Sequence, residues 1–144
     1  MAAGTQLVSA TAPGAAVPLD SVRELLTDGA ALSGLCDQVL AIVPDGDGWR
    51  WCVLLNGSEV GWRLIEKARH PDRLEYIQTE GDLAALECVW LADDRGLTLD
   101  VHFNLGVDGL APLLDPIWGQ SLHAFADAVV HAVAAAVTSR EESS

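Results

Sequence analysis

One feature limits every fold open to this chain: a long stretch near its end that holds no helix breaker. No glycine or proline follows Gly119. Pro112 and Pro116 stand at its start, where a first helical turn tolerates a missing N–H. On a wheel turning about 100° per residue, Trp118, Leu122, Phe125, Val129, Ala132, Val133 and Ala136 share one arc. Gln120, His123, Asp127, His131 and Thr138 fall opposite. The spacing predicts one amphipathic helix over 113–139, of roughly six to seven turns. Such a helix needs a broad apolar surface to lie on. Its alanine-rich far end lets another backbone come close, whereas the bulky end from Trp118 to Phe125 can border a space.

The chain ahead of it reads mainly as strands. A first strand is expected over 6–16, interrupted at Pro13-Gly14. Asp20 or Ser21 then caps a short helix, with Ser21-x-x-Glu24 fitting a capping box and Gly29 ending the turn. A second short helix is expected over 30–35. Strands follow over 38–43, 49–55, 59–67, 73–79, 83–92 and 97–105. Asn56-Gly57 is the strongest hairpin signal, and Asp45-Gly46-Asp47-Gly48 is another tight turn. Asp45 and Asp47 resemble the start of a calcium loop, but the later ligands are missing, so a turn is expected. Short connections make successive strands pair antiparallel.

The expected fold class is α+β: a curved antiparallel sheet of about six to seven strands wrapped around a long C-terminal helix, with two short helices after the first strand. One domain over 1–144 is expected, with 1–5 and 140–144 frayed. A chain of 144 residues is long enough to bury a real core.

Charge excludes some partners. With 8 basic and 21 acidic residues the net charge is −13, which repels nucleic-acid phosphates and anionic lipid heads. The most apolar window, 124–137, contains Asp127 and His131, so membrane insertion is not expected. No Lys or Arg precedes Arg23, so no signal peptide is expected. Cys36, Cys52 and Cys88 lie far apart in apolar runs, which fits reduced, buried thiols and a cytoplasmic location. No P-loop, dinucleotide fingerprint, zinc-protease motif or nucleophile elbow appears. Neither a cofactor nor a metal is expected.

Strand parity sorts the side chains into two faces. Trp49, Trp51, Val53 and Leu55 share one side, as do Val60, Trp62, Leu64 and Glu66. Leu74, Tyr76 and Gln78 share a side, and so do Leu86, Cys88 and Trp90. The last strand sets Leu97, Leu99, Val101, Phe103 and Leu105 against Thr98, Asp100, His102 and Asn104. The tryptophans therefore gather on the inner face, where they fill the space under the helix or line a cavity.

Element order and local signatures together resemble the START-like (SRPBCC) superfamily with its helix-grip fold. Val17-Pro18-Leu19-Asp20-Ser21-Val22-x-x-Leu25-Leu26-x-Asp28 is similar to the family's first-helix pattern. Leu86-x-Cys88-x-Trp90 is similar to the pattern before the last hairpin, where members often carry glycine at the Cys88 position. The resemblance covers nearly the whole chain and looks closest to small bacterial polyketide cyclase/aromatase and coenzyme Q-binding branches. It implies an apolar cavity between sheet and long helix. Aromatase members use an arginine on the strand matching 59–67, where this chain places Glu66, and a histidine on the last strand, where it places Phe103.

The expected activity is that of a polyketide cyclase-type enzyme of bacterial secondary metabolism. It would fold a hydrophobic intermediate and promote cyclisation or dehydration by proton transfer. Glu66 is the candidate acid or base, with Tyr76 and His123 as further catalytic candidates. Trp51, Trp62, Leu64, Gln78, Cys88, Trp90, Phe103, Trp118 and Leu122 are candidate ligand-binding residues. The alternatives are a non-catalytic carrier of a quinone or lipid, and a protein–protein interaction module. An acyl carrier protein is a candidate partner if Arg63, Lys67, Arg69 and Arg73 form a basic patch. A monomer or a homodimer is expected.

Overall fold

The period-2 alternation becomes a seven-stranded antiparallel sheet in the computed structural model, which describes residues 6–14, 17–55, 57–70, 72–83, 85–104 and 111–142. Strand β1 (Gln6–Pro13) leads to helices α1 (Leu19–Thr27) and α2 (Gly29–Leu35). Strands β2 (Val39–Asp45), β3 (Gly48–Leu55), β4 (Ser58–Arg69), β5 (Arg73–Gly81), β6 (Ala85–Asp93) and β7 (Gly96–Asn104) follow as a meander. The long helix α3 (Ala111–Glu142) comes last. β1 returns to pair with β7, so the spatial order is β1-β7-β6-β5-β4-β3-β2.

Several boundaries differ from the sequence expectation, each for a local reason. β1 stops at Pro13 rather than at residue 16. Helix α1 starts at Leu19, with Pro18 at the N-cap and no side-chain capping bond. Pro18 is extended, as an N-cap residue is, and its carbonyl oxygen accepts from the Val22 N–H at 3.2 Å, so the helix starts one residue before Asp20. Asp20 instead accepts a hydrogen bond from Arg23 at 2.9 Å. Gly29 opens α2 rather than ending α1. Asp28 serves both helices: its N–H donates to the Leu25 carbonyl, and its carboxylate accepts from the Ala31 N–H at 3.2 Å. β2 runs on through Pro44 to Asp45. β2 pairs only with β3, so a residue without an N–H costs it little.

Parity places the two faces as expected. Trp51, Val53, Leu55, Val60, Trp62, Leu64, Leu74, Tyr76, Leu86, Cys88 and Trp90 are buried. On β7, Leu97, Leu99, Val101 and Phe103 are buried, while Thr98, Asp100, His102 and Asn104 are half-buried. Shifts of register between Arg63 and Leu64, and between Glu66 and Ala68, interrupt the β4–β5 ladder. Bulges of this kind bend a sheet locally.

Helix α3 lies across β1 and β7. Its buried Leu122, Ala126, Val129, Val130, Val133 and Val137 belong to the same apolar cluster as Ala10 and Ala12 of β1. Small residues on both sides let helix and strand backbones approach. By length and composition, Gly119–Ser139 suffices to cross a membrane, which the shorter window read from the sequence did not. Its apolar side is part of the protein core.

The turn Asp45–Gly48 closes the β2–β3 hairpin, with Gly46 at φ 65°. A cation does sit at this acidic turn, and it is a guanidinium. Arg63 donates to the Asp45 carbonyl oxygen and to the Asp47 carboxylate, both at 2.6 Å. That hydrogen bond holds the Asp47 carboxyl below its ordinary range. Arg50 joins the group through Asp45 and Glu80.

Candidate functional site

The inner faces of β3 to β7 converge under α3 on an apolar cavity of about 20 Å³. Its wall consists of Leu26, Trp49, Trp51, Trp62, Leu64, Tyr76, Cys88, Trp90, Leu99, Phe125 and Val129. Cross-strand pairing brings these residues together. Trp51 lies opposite Trp62, Trp49 opposite Leu64, Tyr76 opposite Cys88, and Trp90 opposite Leu99. Two ring contacts tie the wall: Trp49 meets Tyr76 edge-on at 6.4 Å, and Trp62 meets Phe125 edge-on at 5.7 Å. The rings therefore do both things open to them, filling most of the space and lining what remains. The room left is that of about one water molecule.

A larger recess adjoins it. A groove of about 520 Å³ opens at the surface between Asp37, Gln38, Leu54 and Gly57 on one side and Gln120, Ser121, Ala124 and Phe125 of α3 on the other. Phe125 is the residue that lines both spaces. The groove has the size usual for small-molecule sites, and the cavity behind it has the apolar lining.

Among the expected site residues, Trp51, Trp62, Leu64, Tyr76, Cys88 and Trp90 meet at this cavity. Phe103 and Leu122 do not line it; both are core, at 1% and 0% exposure. Gln78 also lies off the wall, tethered through its Nε2 to the Leu83 carbonyl oxygen at 2.8 Å. The Trp118 side chain lies outside the described residues. Trp49, placed by parity beside Trp51, joins the wall, whereas Leu26, Leu99, Phe125 and Val129 were not ligand-binding candidates from the sequence, although Phe125 and Val129 share the helical arc.

The candidate acid–base groups are dispersed. Glu66 lies off the cavity wall and accepts from Arg23 of α1, with Nε at 3.2 Å and Nη2 at 3.1 Å. Both side chains are about four-fifths buried, at 19% and 22% exposure, so the carboxylate is committed to an ion pair. His123 is exposed and borders a surface depression with Leu7, Val8, Ser9, Gly119 and Gln120. Asp127 and His131 are exposed on the same helix and bond each other, with His131 Nδ1 2.8 Å from the Asp127 carbonyl oxygen. Among the described residues no three His, Cys, Asp or Glu side chains gather as a metal site would require. Tyr76 and Cys88 are the titratable groups on the wall. Burial pushes the Cys88 thiol up to about 12, so it stays protonated at neutral pH.

The expected basic patch is neutralised. Arg63 pairs with Asp45 and Asp47, Lys67 with Glu87, and Arg73 with Asp72 and Glu75. The Arg69 side chain lies outside the described residues.

No protein-family model matches the sequence, and none of the curated proteins compared with it does. Solved structures do. An aromatase/cyclase named Zhui, from a Streptomyces species, superposes with a TM-score of 0.73 at 19% identity, covering 96% of this chain and 96% of its own. A START superfamily protein from Mycobacterium smegmatis gives a TM-score of 0.67 at 16% identity, over 95% of this chain and 99% of its own. The di-domain aromatase/cyclase StfQ of the steffimycin biosynthetic pathway gives 0.60 at 15% identity, over 94% of this chain and 52% of its own. Identities this low speak for architecture alone. That architecture, a seven-stranded curved sheet gripping a C-terminal helix with two short helices after the first strand, is the START-like helix-grip fold, and this chain has it.

Proposed function

We propose that the protein binds a flat hydrophobic molecule between its sheet and α3, and that it acts on a polyketide-type intermediate as a cyclase does. The observation that carries the binding is the wall itself: four tryptophans, Trp49, Trp51, Trp62 and Trp90, joined by Phe125, which also lines an open groove. Rings stack on flat ligands, and a wall this apolar favours them over water. A ligand seated in the groove reaches the cavity by turning Phe125 aside. The likeness in fold to aromatase/cyclases supports a polyketide as the ligand class.

In this reading Tyr76 is the group that handles a proton, because it combines a hydroxyl with a place on the wall. Glu66 serves as the anchor of Arg23 and holds α1 against β4. His123 takes no part. Catalysis then rests on folding the chain of the substrate more than on acid–base groups. A carrier of a quinone or lipid is the second reading, favoured by the scarcity of titratable groups on the wall. An interior location in the cell fits the free thiols of Cys36, Cys52 and Cys88.

Mass spectrometry of the protein purified from its own host, native and then denatured, tests the proposal. A co-purifying polycyclic or polyene compound is the expected result. A quinone or a lipid moves the assignment to a carrier. An empty protein that also fails to take up Nile red would sink both. For the enzyme reading, Tyr76→Phe is expected to lower turnover at least ten-fold with ligand affinity kept. Equal turnover removes Tyr76 from the mechanism.

A further inference from the structure

Polar atoms sealed in an apolar interior are hydrogen-bonded as a rule, and each exception asks for a partner. Trp62 supplies such an exception in the wall of the cavity. Its residue is 1% exposed, and its indole Nε1 has no hydrogen-bond partner among the described residues. An indole N–H can only donate. A sealed acceptor exists on the neighbouring strand β5, Gln78 Oε1, which also lacks a partner among the described residues. The two do not bond each other, and the Gln78 amide donates instead through Nε2 to the Leu83 carbonyl oxygen. The Trp62 donor thus stays uncommitted in surroundings where an unmade hydrogen bond is costly.

We infer that Trp62 Nε1–H is a recognition group, and that the ligand of this cavity is a flat molecule carrying a carbonyl oxygen directed at it. This inference rests on the binding site proposed above and narrows its ligand class. A ketone, a quinone or an enone answers the donor; a bare hydrocarbon or an acyl tail leaves it unsatisfied. The preference arises without any charged group, since a neutral donor–acceptor pair in an apolar site discriminates mainly by what is left unpaired.

The test uses two neutral tricyclic probes of nearly the same shape, fluorene and 9-fluorenone, which differ by the carbonyl oxygen. Whatever it costs to turn Phe125 aside is common to both, so their affinity ratio isolates the oxygen. The expected ratio is about ten-fold in favour of the ketone, the scale of one buried hydrogen bond. Trp62→Phe keeps an aromatic ring, removes the N–H, and is expected to bring the ratio close to one. Tyr76→Phe and Cys88→Ala, which remove the hydroxyl and thiol donors on the wall, are expected to leave it, as is a Trp→Phe change at Trp49, Trp51 or Trp90.

A second readout does not depend on affinity. In a nitrogen–proton correlation spectrum, the indole signal absent from Trp62→Phe is expected to move downfield with fluorenone and not with fluorene. Equal binding of both probes, with that signal unmoved, overturns the inference while the pocket stands. It would mean that the N–H spends itself on the face of Phe125, a weak acceptor in edge-on contact. A ratio that vanishes in Tyr76→Phe instead also overturns it. Binding of neither probe overturns the pocket and the inference together.

Discussion

The two ends of the concave face solve the same problem with opposite means. At the β1 end, small residues such as Ala10 and Ala12 share the core with the alanines and valines of α3, and backbones come close. At the β3 to β6 end, tryptophans reach across a wider gap and leave a little of it open. Close backbone contact fixes a helix in place, because no side chain can rotate out of the way. A gap bridged by rings can reopen by rotation about side-chain bonds. The molecule thus holds α3 firmly at one end and keeps a yielding wall at the other. Such a division suits the ligand binding proposed above, in which a molecule enters beside a helix that stays in place.

Substitutions can break or sharpen this contrast. The largest effect is expected from Trp62→Ala, at about 3–5 kcal/mol of stability measured by denaturant unfolding, because a fully buried ring is lost. If Trp62→Ala costs no more than Trp49→Ala, whose ring is only half-buried, the ring wall is not holding the sheet to α3. Next comes Ala10→Leu, expected to cost about 1–3 kcal/mol by overpacking the tight end. A neutral or stabilising result there would show slack where the contrast demands none. Gly96→Ala belongs to the same end and the same range: Gly96 holds φ 130°, and a Cβ there would run into the Ala12 carbonyl oxygen.

Smaller effects probe the yielding wall. Phe125→Leu is expected to cost about 1 kcal/mol and to speed Nile red uptake in stopped-flow mixing. Unchanged uptake would show that ligands reach the cavity by another way. The smallest effect concerns Cys88, whose thiol stands at about 12 against an ordinary value of 9.0. Below the ordinary value both folded and unfolded chains keep the proton. Between the two values the unfolded chain releases a proton that the fold retains, so stability falls as pH rises through that window. Cys88→Ala is expected to flatten that alkaline slope in thermal melts. An identical slope in the variant would mean that the thiol reaches water.

Much of this was legible in the chain because a strand's side-chain period is two. Parity alone placed Trp51, Trp62, Cys88 and Trp90 on one face, and the hairpin signals set their order. What parity cannot give is depth along the face. Phe103 and Leu122 share the inner side yet lie beyond the cavity, because its position depends on where α1 and α3 cross the sheet. Leu26 and Phe125 come from those crossing helices. Glu66 shows the same limit in its chemistry. Its partner Arg23 lies on α1, far off in sequence, and no local pattern announces a long-range ion pair. The Asp45-Gly46-Asp47 turn was legible as a turn, whereas the guanidinium seated on it came from β4.

A last consequence follows from the two outermost strands. β1 ends in Pro13 and β2 carries Pro44, and each strand has a sheet neighbour on one side only. A sheet with free edges invites further strands, from another copy or from a fibril. Exposed Leu40 and Val43 on β2 would strengthen the invitation. Proline removes an amide at each edge and spoils the ladder that an incoming strand would read. The prolines at its flanks thus work against strand-by-strand association with other chains.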